Sequence, residues 1–375
     1  MQKLNLLLCT IIFSFTASAF AKNDLGSTVD SFIHNFEKEK NSISGGAIAV
    51  IYKGHVIYKN TFGHEKDSNS PKITSRTLFP LASVSKPVSA TAVALLVANG
   101  VLNLDEKYNL PYLQNPVNIK NILGHTTGYK FSGNIEIEHG DKRDKILKLL
   151  KVQSPTCQPG ECYSYSNTTF SLIEEALNTK NLDLQLAIKN LRIALNTDGI
   201  QVVPLPANMR VAYPHIVTNN RFSFFRRVLP FPKYYPKAAP AAAGVFASLD
   251  GMIEIFKFNF GYRPDLISKE ILTLFHTPLS FNRDIARWHT KWPIPIRKIE
   301  SYYGVGWRIL KPKPYPDKNL IFHSGTISGI KTFIGFIPAE EIGIIVLTNE
   351  NSNFCFKTGI SFWGKFLNKQ IVSNT

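Results

Sequence analysis

The sequence lacks the residue patterns that typically bind a metal ion. Its 9 histidines are scattered, its 4 cysteines have no zinc-ligand spacing, and no His-Glu-x-x-His segment occurs. It also lacks a nucleic-acid-binding motif, although 43 basic residues against 27 acidic ones give a formal net charge of +16. We therefore predict no metal, no cofactor and no nucleic-acid partner.

Long apolar runs are missing beyond the N-terminus, so no stable membrane span is predicted. The first residues have their own pattern, in which Lys3 precedes the apolar residues 4–15 and a small-x-small sequence ends at Ala21. This pattern is typical of a secretory signal peptide, with a membrane anchor or a lipoprotein as alternatives. Cys9 lies in a poor context for lipidation. We predict a signal peptide at residues 1–21 and a periplasmic or secreted mature protein.

The surplus of basic residues has two interpretations. An exported protein meets anionic envelope polymers and phospholipids first, so we predict affinity for an anionic envelope surface, with simple solubility as the alternative. Residues 221–237 are dense in arginine, lysine and aromatic side chains, which suits a loop at a membrane surface or at the substrate. We favour a proline-stiffened loop packed on the helical part, because the segment has no clear amphipathic pattern.

Two of the cysteines flank a turn sequence. Cys157 and Cys162 enclose Gln-Pro-Gly among the residues between them, and export would permit a disulfide there. Reduced thiols are the alternative, because short loops often have the wrong Cα geometry for a bridge. The sequence leaves both open, and a bridge would leave Cys355 as a lone thiol after removal of the signal peptide.

The order of strand and helix patterns predicts an α/β domain interrupted by a helical insertion. A β-hairpin is predicted at residues 46–61, and helices are predicted in the middle of the chain. We assign residues 22–375 to one domain, with sheet parts at about 22–80 and 296–375 and a helical part at about 81–295. Further strands are predicted at 303–310, 320–323, 330–337 and 342–348, and helices at 88–97, 141–152, 168–179, 182–195 and 355–371.

A serine stands three residues before a lysine at the predicted start of a helix. Ser83 and Lys86 share a face about one turn apart, so the hydroxyl and the amine can touch. A serine hydroxyl needs a neighbouring base to become nucleophilic, and burial lowers the pKa of a lysine enough for that role. The Ser-x-x-Lys pattern also arises by chance at solvated helix starts, so its meaning depends on partner motifs.

Two partner motifs follow along the chain, first Tyr165-Ser166-Asn167 and then His323-Ser324-Gly325-Thr326. With them the chain resembles the class C-like branch of the serine β-lactamase and DD-peptidase superfamily, which includes class C β-lactamases, D-alanyl-D-alanine carboxypeptidases and related esterases. The resemblance covers about residues 45–353. It implies an antiparallel sheet flanked by helices with an inserted all-helical subdomain. Further segments that resemble this branch are GHTTG at 124–128, AAGVFAS at 242–248, YGVGW at 303–307 and the stretch 335–349.

The resemblance implies roles for the motif residues. Ser83 would be the nucleophile, and its backbone N–H with that of Thr326 would form an oxyanion hole. Lys86 and Tyr165 would form the base system, because a phenol of pKa near 10 needs an adjacent cation to act at neutral pH. Asn167 would donate an amide N–H to the substrate or to Lys86. Taken singly, Tyr165 also fits a core aromatic and Asn167 a turn residue.

The third motif differs from that of class C β-lactamases, which have lysine where this chain has His323. A histidine is only partly charged at neutral pH, so we expect a weaker hold on a substrate carboxylate. Ser324 and Gly325 suit a strand edge that hydrogen-bonds a substrate backbone. We predict an exported serine hydrolase that acts on β-lactam or D-alanyl-D-alanine-type amides. Its substrate would be a small molecule or a peptide of peptidoglycan. A small-ester or lactone esterase and a slowly deacylating penicillin-binding sensor are the alternatives.

Overall fold

The computed structural model describes residues 29–220, 223–282, 299–313 and 317–373, so the predicted signal peptide lies outside the described residues. The strands are β1 (Gly45–Tyr52), β2 (His55–Gly63), β3 (Phe79–Pro80), β4 (Ile200–Gln201), β5 (His215–Asn220), β6 (Ser223–Val228), β7 (Phe246–Ala247), β8 (Ser280–Phe281), β9 (Ile299–Tyr303), β10 (Arg308–Pro312), β11 (Leu320–Ile327), β12 (Ile330–Ile337) and β13 (Ile342–Thr348).

Helices cover much of the rest of the described chain. They are α1 (29–39), α2 (Ser85–Ala98), α3 (Ile119–Leu123), α4 (Asn134–Glu138), α5 (Arg143–Lys151), α6 (Asn167–Phe170), α7 (Ile173–Asn178), α8 (Leu184–Leu195), α9 (Tyr234–Ala238), α10 (Pro240–Ala243), α11 (Leu249–Asn259), α12 (Lys269–His276) and α13 (Phe354–Ser373). Within the described ranges, no helix combines the length and the apolar character that crossing a membrane requires.

One eight-stranded sheet joins the two ends of the chain. Its order is β2-β1-β13-β12-β11-β10-β9-β8, and every neighbouring pair is antiparallel. The early hairpin β1–β2 therefore pairs with the last strand, with Ala49 opposite Ile345. The mixed α/β fold with a large antiparallel sheet and flanking helices confirms the predicted fold class.

The sheet is covered on both faces, which explains why its central strands are almost entirely apolar. Along β1, Ala47 and Ala49 belong to one hydrophobic core, while Ile48 and Val50 belong to the other. This alternation follows from the two-residue period of a strand. The first core also contains residues of α2, α8 and α11. The second contains residues of α1 and α13, including the buried Trp363.

Helix α2 is the central helix of the first core. Nearly all of its residues are buried, including the polar Ser85, Lys86 and Ser89. A helix that is buried on all sides needs small side chains at its contacts, and α2 is rich in alanine and serine. It contacts α8, α10, α11 and α12, so its N-terminal turn is fixed between the sheet and the helical segments.

Three predicted elements differ from the structure. Residues 303–310 are not one strand, because Gly306 has a left-handed φ of 80° and the chain turns between β9 and β10. The helix predicted at 168–179 is two short helices, α6 and α7. The segment 221–237 is not an irregular loop, because strand β6 pairs with β5 and helix α9 follows it; residues 221 and 222 lie outside the described residues.

Candidate active site

Ser83 lies in a tight turn that leads directly into α2. The turn is a 3-10 helix, Ala82–Val84, and Ala82 has a φ of 50°, a left-handed value that is rare for a residue with a side chain. The backbone thus bends sharply just before the serine. Ser83 is half-buried between buried neighbours, so its hydroxyl stays accessible at the positive end of the helix dipole.

Strand β11 comes very close to this turn at Gly325. A Cβ atom on Gly325 would lie 2.4 Å from the Leu81 carbonyl oxygen and 2.3 Å from Thr332 Oγ1. Thr332 Oγ1 donates a hydrogen bond of 2.7 Å to that same carbonyl. Only glycine fits here, because the strand backbone packs against the nucleophile turn. The predicted Gly325 and Ser83 are therefore held beside each other.

The edge of β11 next to the turn is partly open. Strand β11 pairs with β12 from Ile321 to Ile327, but it pairs with β10 only from Leu320 to Phe322. Beyond Phe322, one edge of β11 has no partner among the described strands. Ser324 there is half-buried and Thr326 is exposed, so the backbone of this stretch is accessible beside the Ser83 turn.

Lys86 is completely buried within one turn of Ser83. Its Nζ donates to Asn167 Oδ1 at 2.6 Å and to the Ala242 carbonyl at 3.0 Å. Nζ also lies 4.6 Å from the ring centroid of Tyr165. Burial lowers the pKa of the Lys86 amine, and the positive charge of Arg308 lowers this pKa further, while Tyr165 opposes both effects.

Tyr165 connects the serine with the lysine. Its phenol interacts with the side chains of both Lys86 and Ser83. Burial alone would raise the pKa of Tyr165, but the charges of Lys86 and Arg308, together with the side-chain interactions of Lys86 and Ser83, lower it below its ordinary value. The arrangement gives a phenol that loses its proton more readily than an exposed tyrosine and lies beside Ser83.

Asn167 contacts Lys86 through its oxygen. Asn167 Oδ1 accepts the hydrogen bond from Lys86, and its Nδ2 donates to Asn134 Oδ1 at 2.8 Å. One N–H of the amide, which the sequence interpretation gave to the substrate or to Lys86, is therefore directed at α4. Asn134 does not belong to any recognisable sequence motif. Its hydrogen bond with Asn167 is visible only in the folded structure.

His323 differs from the sequence expectation. Its side chain is completely buried, and its Nδ1 lies 2.9 Å from the Ser324 carbonyl oxygen, which can only accept a hydrogen bond. The proton is therefore on Nδ1, and Nε2 accepts from the Tyr303 hydroxyl at 3.0 Å. Burial, reinforced by the charges of Arg308 and Lys86, holds the pKa of His323 well below its ordinary value. A neutral, enclosed imidazole is a poor partner for a substrate carboxylate.

Two further residues lie beside Tyr165 that the sequence analysis did not predict as site residues. The ring of His125, from the GHTTG segment, lies 4.4 Å from the ring of Tyr165, and burial holds the pKa of His125 well below its ordinary value. Arg308 also lies near this ring, with Cζ 5.2 Å from the Tyr165 ring centroid. Arg308 directly follows the YGVGW segment, which was the available sequence signal. It is a permanent cation at the site.

A disulfide supports the loop that carries Tyr165. Cys157 and Cys162 form a bridge, with Cα atoms 6.2 Å apart, and the buried Cys355 is a free thiol. The backbone of this loop pairs with the turn at residues 125–128, since Gly160 donates to Thr126 at 2.8 Å and Ser164 donates to His125 at 2.9 Å. The bridged loop and the His125 turn therefore form one support beneath Tyr165.

The antiparallel sheet and its flanking helices agree with comparisons to known proteins. Residues 29–358 match the sequence profile of the Beta-lactamase family. A Beta-lactamase from Pseudomonas fluorescens is 24% identical, over 88% of this chain and 94% of its own length. Protein flp from Staphylococcus aureus strain MW2 is 22% identical, over 94% of this chain and 68% of its own length.

Solved structures share the fold. An octameric penicillin-binding protein homologue from Pyrococcus abyssi superposes with a TM-score of 0.72 at 20% identity, covering 93% of this chain and 78% of its own. A class C beta lactamase superposes with a TM-score of 0.69 at 20% identity, covering 92% and 98%. The chain belongs to the Beta-lactamase family. This membership confirms the resemblance found in the sequence and assigns the protein to a family of hydrolases.

Proposed function

We propose that this protein is an exported serine hydrolase that forms an acyl-enzyme on Ser83 and acts on β-lactam or D-alanyl-D-alanine-type amides. The observation that carries the proposal is the position of Tyr165 beside both Ser83 and Lys86, with Lys86 Nζ 4.6 Å from the centroid of the Tyr165 ring. A base that touches the nucleophile and is itself stabilised by a buried cation is what activation of a serine hydroxyl requires.

In the acylation step, the Tyr165 phenolate takes the proton of the Ser83 hydroxyl as Oγ attacks the substrate carbonyl carbon. The carbonyl π electrons move onto oxygen, where the backbone N–H groups of Ser83 and Thr326 are the proposed donors. As the tetrahedral intermediate collapses, the C–N bond breaks and the leaving nitrogen takes the proton from Tyr165. The positive charge of Lys86 stabilises the phenolate in each cycle.

Deacylation repeats the same proton movements with water. Tyr165 takes a proton from a water molecule, the hydroxide attacks the ester carbonyl, and Ser83 Oγ leaves with the proton that Tyr165 returns. The carboxylic acid product then departs. An acyl-enzyme that does not complete this step makes the protein a penicillin-binding sensor, so the rate of deacylation separates the two functions.

The substrate class follows from the open edge of β11 and from the charges at the site. Ser324, Gly325 and Thr326 offer backbone groups for a peptide-like acyl chain. Arg308 and Lys86 are both cationic beside Tyr165, which favours a substrate with an acidic group. His323 contributes to substrate binding through its strand backbone and by holding Ser324. A neutral ester or lactone gains less from these charges, so the esterase is the second candidate.

The decisive experiment follows labelling and turnover together. The mature chain is incubated with a fluorescent penicillin, a chromogenic β-lactam and a peptide that ends in D-alanyl-D-alanine, and adducts are measured by intact mass. We expect a penicillin adduct on the wild type and on Ser68→Ala, an exposed serine in a surface turn, and no adduct on Ser83→Ala. An identical adduct on a folded Ser83→Ala protein would defeat the proposal.

Export is tested separately. The mature protein should be recovered from the periplasm or the medium with Lys22 as its first residue, because the predicted cleavage follows Ala21. We further propose that its basic surface has affinity for anionic envelope polymers, which high salt should weaken. Recovery of the full-length chain from the cytoplasm alone would contradict export.

A further inference from the structure

Helix α10 contains one of the hydrogen-bond acceptors of Lys86. Side chains from other helices form hydrogen bonds with the backbone of α10. The Ala242 carbonyl accepts from Lys86 Nζ at 3.0 Å, and the Ala241 carbonyl accepts from Ser89 Oγ at 2.9 Å. On the opposite side, the Ala241 N–H donates to Glu174 Oε1 at 3.2 Å. Ala241 is therefore bound through both its N–H and its carbonyl, one residue before the carbonyl that binds Lys86.

Helix α10 has little internal support of its own. It is four residues long, and its N-cap residue makes no side-chain capping bond. Helices this short are not stable without tertiary contacts. The position of the Ala242 carbonyl therefore depends on the side chains that bind this segment, and Ser89 and Glu174 bind the residue next to it.

Glu174 is a carboxyl group enclosed beside a cation. Arg143 Nη1 lies 3.5 Å from Glu174 Oε2, and Arg143 Nη2 bonds Glu175 Oε1 at 3.1 Å. Arg143 also donates to the carbonyls of Ser171 and Ala238 at 3.0 and 3.3 Å, so it links α7 with the residues just before α10. Glu174 and Arg143 thus support this segment from the side away from Lys86.

The electrostatic surroundings of Glu174 agree with an enclosed position. Burial raises the pKa of Glu174 to about 7, although Arg143 and the Ala241 N–H act in the opposite direction. Glu175 on α7 and Asp183 at the start of α8 are the further charged groups that raise it. The Glu174 carboxyl group therefore lies in a largely buried position, where it accepts a hydrogen bond from the Ala241 N–H of α10.

We infer that Glu174 and Ser89 are positioning residues that hold the Ala241 peptide and thereby fix the Ala242 carbonyl against Lys86. This inference rests on the proposed function, because its effect is on the Lys86–Tyr165 base. Attraction between two charges depends steeply on distance at short range. At an effective dielectric constant of about 20, moving a lysine about 1 Å away from a phenolate changes the ionisation equilibrium of the phenol by about tenfold.

The test compares three variants of the mature protein by pre-steady-state acylation and by the pH dependence of kcat/KM. Glu174→Leu removes the acceptor of the Ala241 N–H, Glu174→Gln keeps an oxygen there, and Glu175→Leu is the matched control on the same helix. We expect Glu174→Leu to lower the acylation rate about tenfold with little change in KM. Glu174→Gln and Glu175→Leu should stay within about threefold of the wild type.

The pH profile distinguishes positioning from a general loss of stability. When Lys86 moves away, the phenolate of Tyr165 loses stabilisation and its pKa rises. The acidic limb of kcat/KM should therefore move to higher pH in Glu174→Leu and not in Glu175→Leu. Lower stability alone reduces the amount of active protein and leaves the limb where it was.

Ser89→Ala keeps the inference testable if Glu174→Leu does not fold. This small change removes the bond to the Ala241 carbonyl, and we expect a slower acylation rate and the same direction of shift in the limb. A folded Glu174→Leu or Ser89→Ala protein with wild-type rate and pH profile overturns the positioning role. Failure of the wild type to be labelled on Ser83 instead overturns the proposed function, so the two failures are distinguishable.

Discussion

Asn167 Oδ1 lies 2.6 Å from Lys86 Nζ, a contact between the short helix α6 and the central helix α2. It joins the second sequence motif to the first and directs the lysine to the face of Tyr165. An ammonium group has three donors, so a site that binds two of them with fixed acceptors leaves one for the phenol.

Loss of this contact should weaken the base. We expect Asn167→Ala to lower the acylation rate roughly ten- to a hundredfold, because Lys86 loses its shortest hydrogen bond while its burial remains. Asn134→Ala should have a smaller effect, since it removes only the group that orients Asn167. Stopped-flow labelling with a fluorescent penicillin measures both. Equal rates in all three proteins would show that Asn167 does not position the lysine.

Tyr165→Phe removes the phenol and keeps the ring. We expect turnover at least about a hundredfold slower, the usual scale for loss of a general base. The matched control is Tyr163→Phe, because Tyr163 lies on the same loop and its hydroxyl contacts Asn282 rather than Lys86. It should stay within about threefold of the wild type. Near-normal turnover in Tyr165→Phe would leave Lys86 as the base.

His323→Lys tests the corrected view of the third motif. A lysine at this fully buried position would place a third positive charge beside those of Arg308 and Lys86. We expect it to lower the free energy of unfolding by about 3 kcal/mol or more, the scale of an uncompensated buried charge. Adding Arg308→Gln should recover part of the loss. Urea titrations of the two single variants and the double variant measure the coupling.

An unchanged midpoint in the His323→Lys variant, together with faster β-lactam hydrolysis, would restore the carboxylate role that the sequence first suggested. The enclosed contacts with Tyr303 and Ser324 would then have to open in solution.

His276 should make stability depend on pH. Burial lowers the pKa of His276 to about 3, against about 6.5 in the unfolded chain, so the unfolded state binds the proton first as the pH falls. Its stabilising contribution is complete above about pH 6.5 and is lost from there toward pH 3, at about 1.4 kcal/mol per pH unit. His276→Gln should flatten this slope in urea titrations, and the exposed His55→Gln should not.

A slope that is the same in His276→Gln and in the wild type would show that His276 is not protonated selectively on unfolding. The buried His125 and His323 also have lowered pKa values, so some acid sensitivity should remain in either variant.

Local patterns in the sequence predicted much of the fold and indicated the candidate active-site residues. The alternation of apolar residues in β1 and the apolar runs of β12 and β13 indicate strands because a strand repeats every two residues. The spacing of Ser83 and Lys86 indicates contact because residues three apart lie on one helix face. The order of the three motifs indicated the resemblance to the family, and the match of residues 29–358 to the Beta-lactamase family profile confirmed it.

Only the tertiary structure decided the states of the groups around Tyr165. Whether His323 is charged depends on its burial and on its neighbours from β9 and β10. These neighbours belong to other strands, so the local sequence around His323 does not reveal them. Arg308, Asn134, Ser89 and Glu174 have no motif of their own and act through contacts between separate elements. Local spacing determines which residues can face each other within one element, whereas burial and charge depend on which elements pack together.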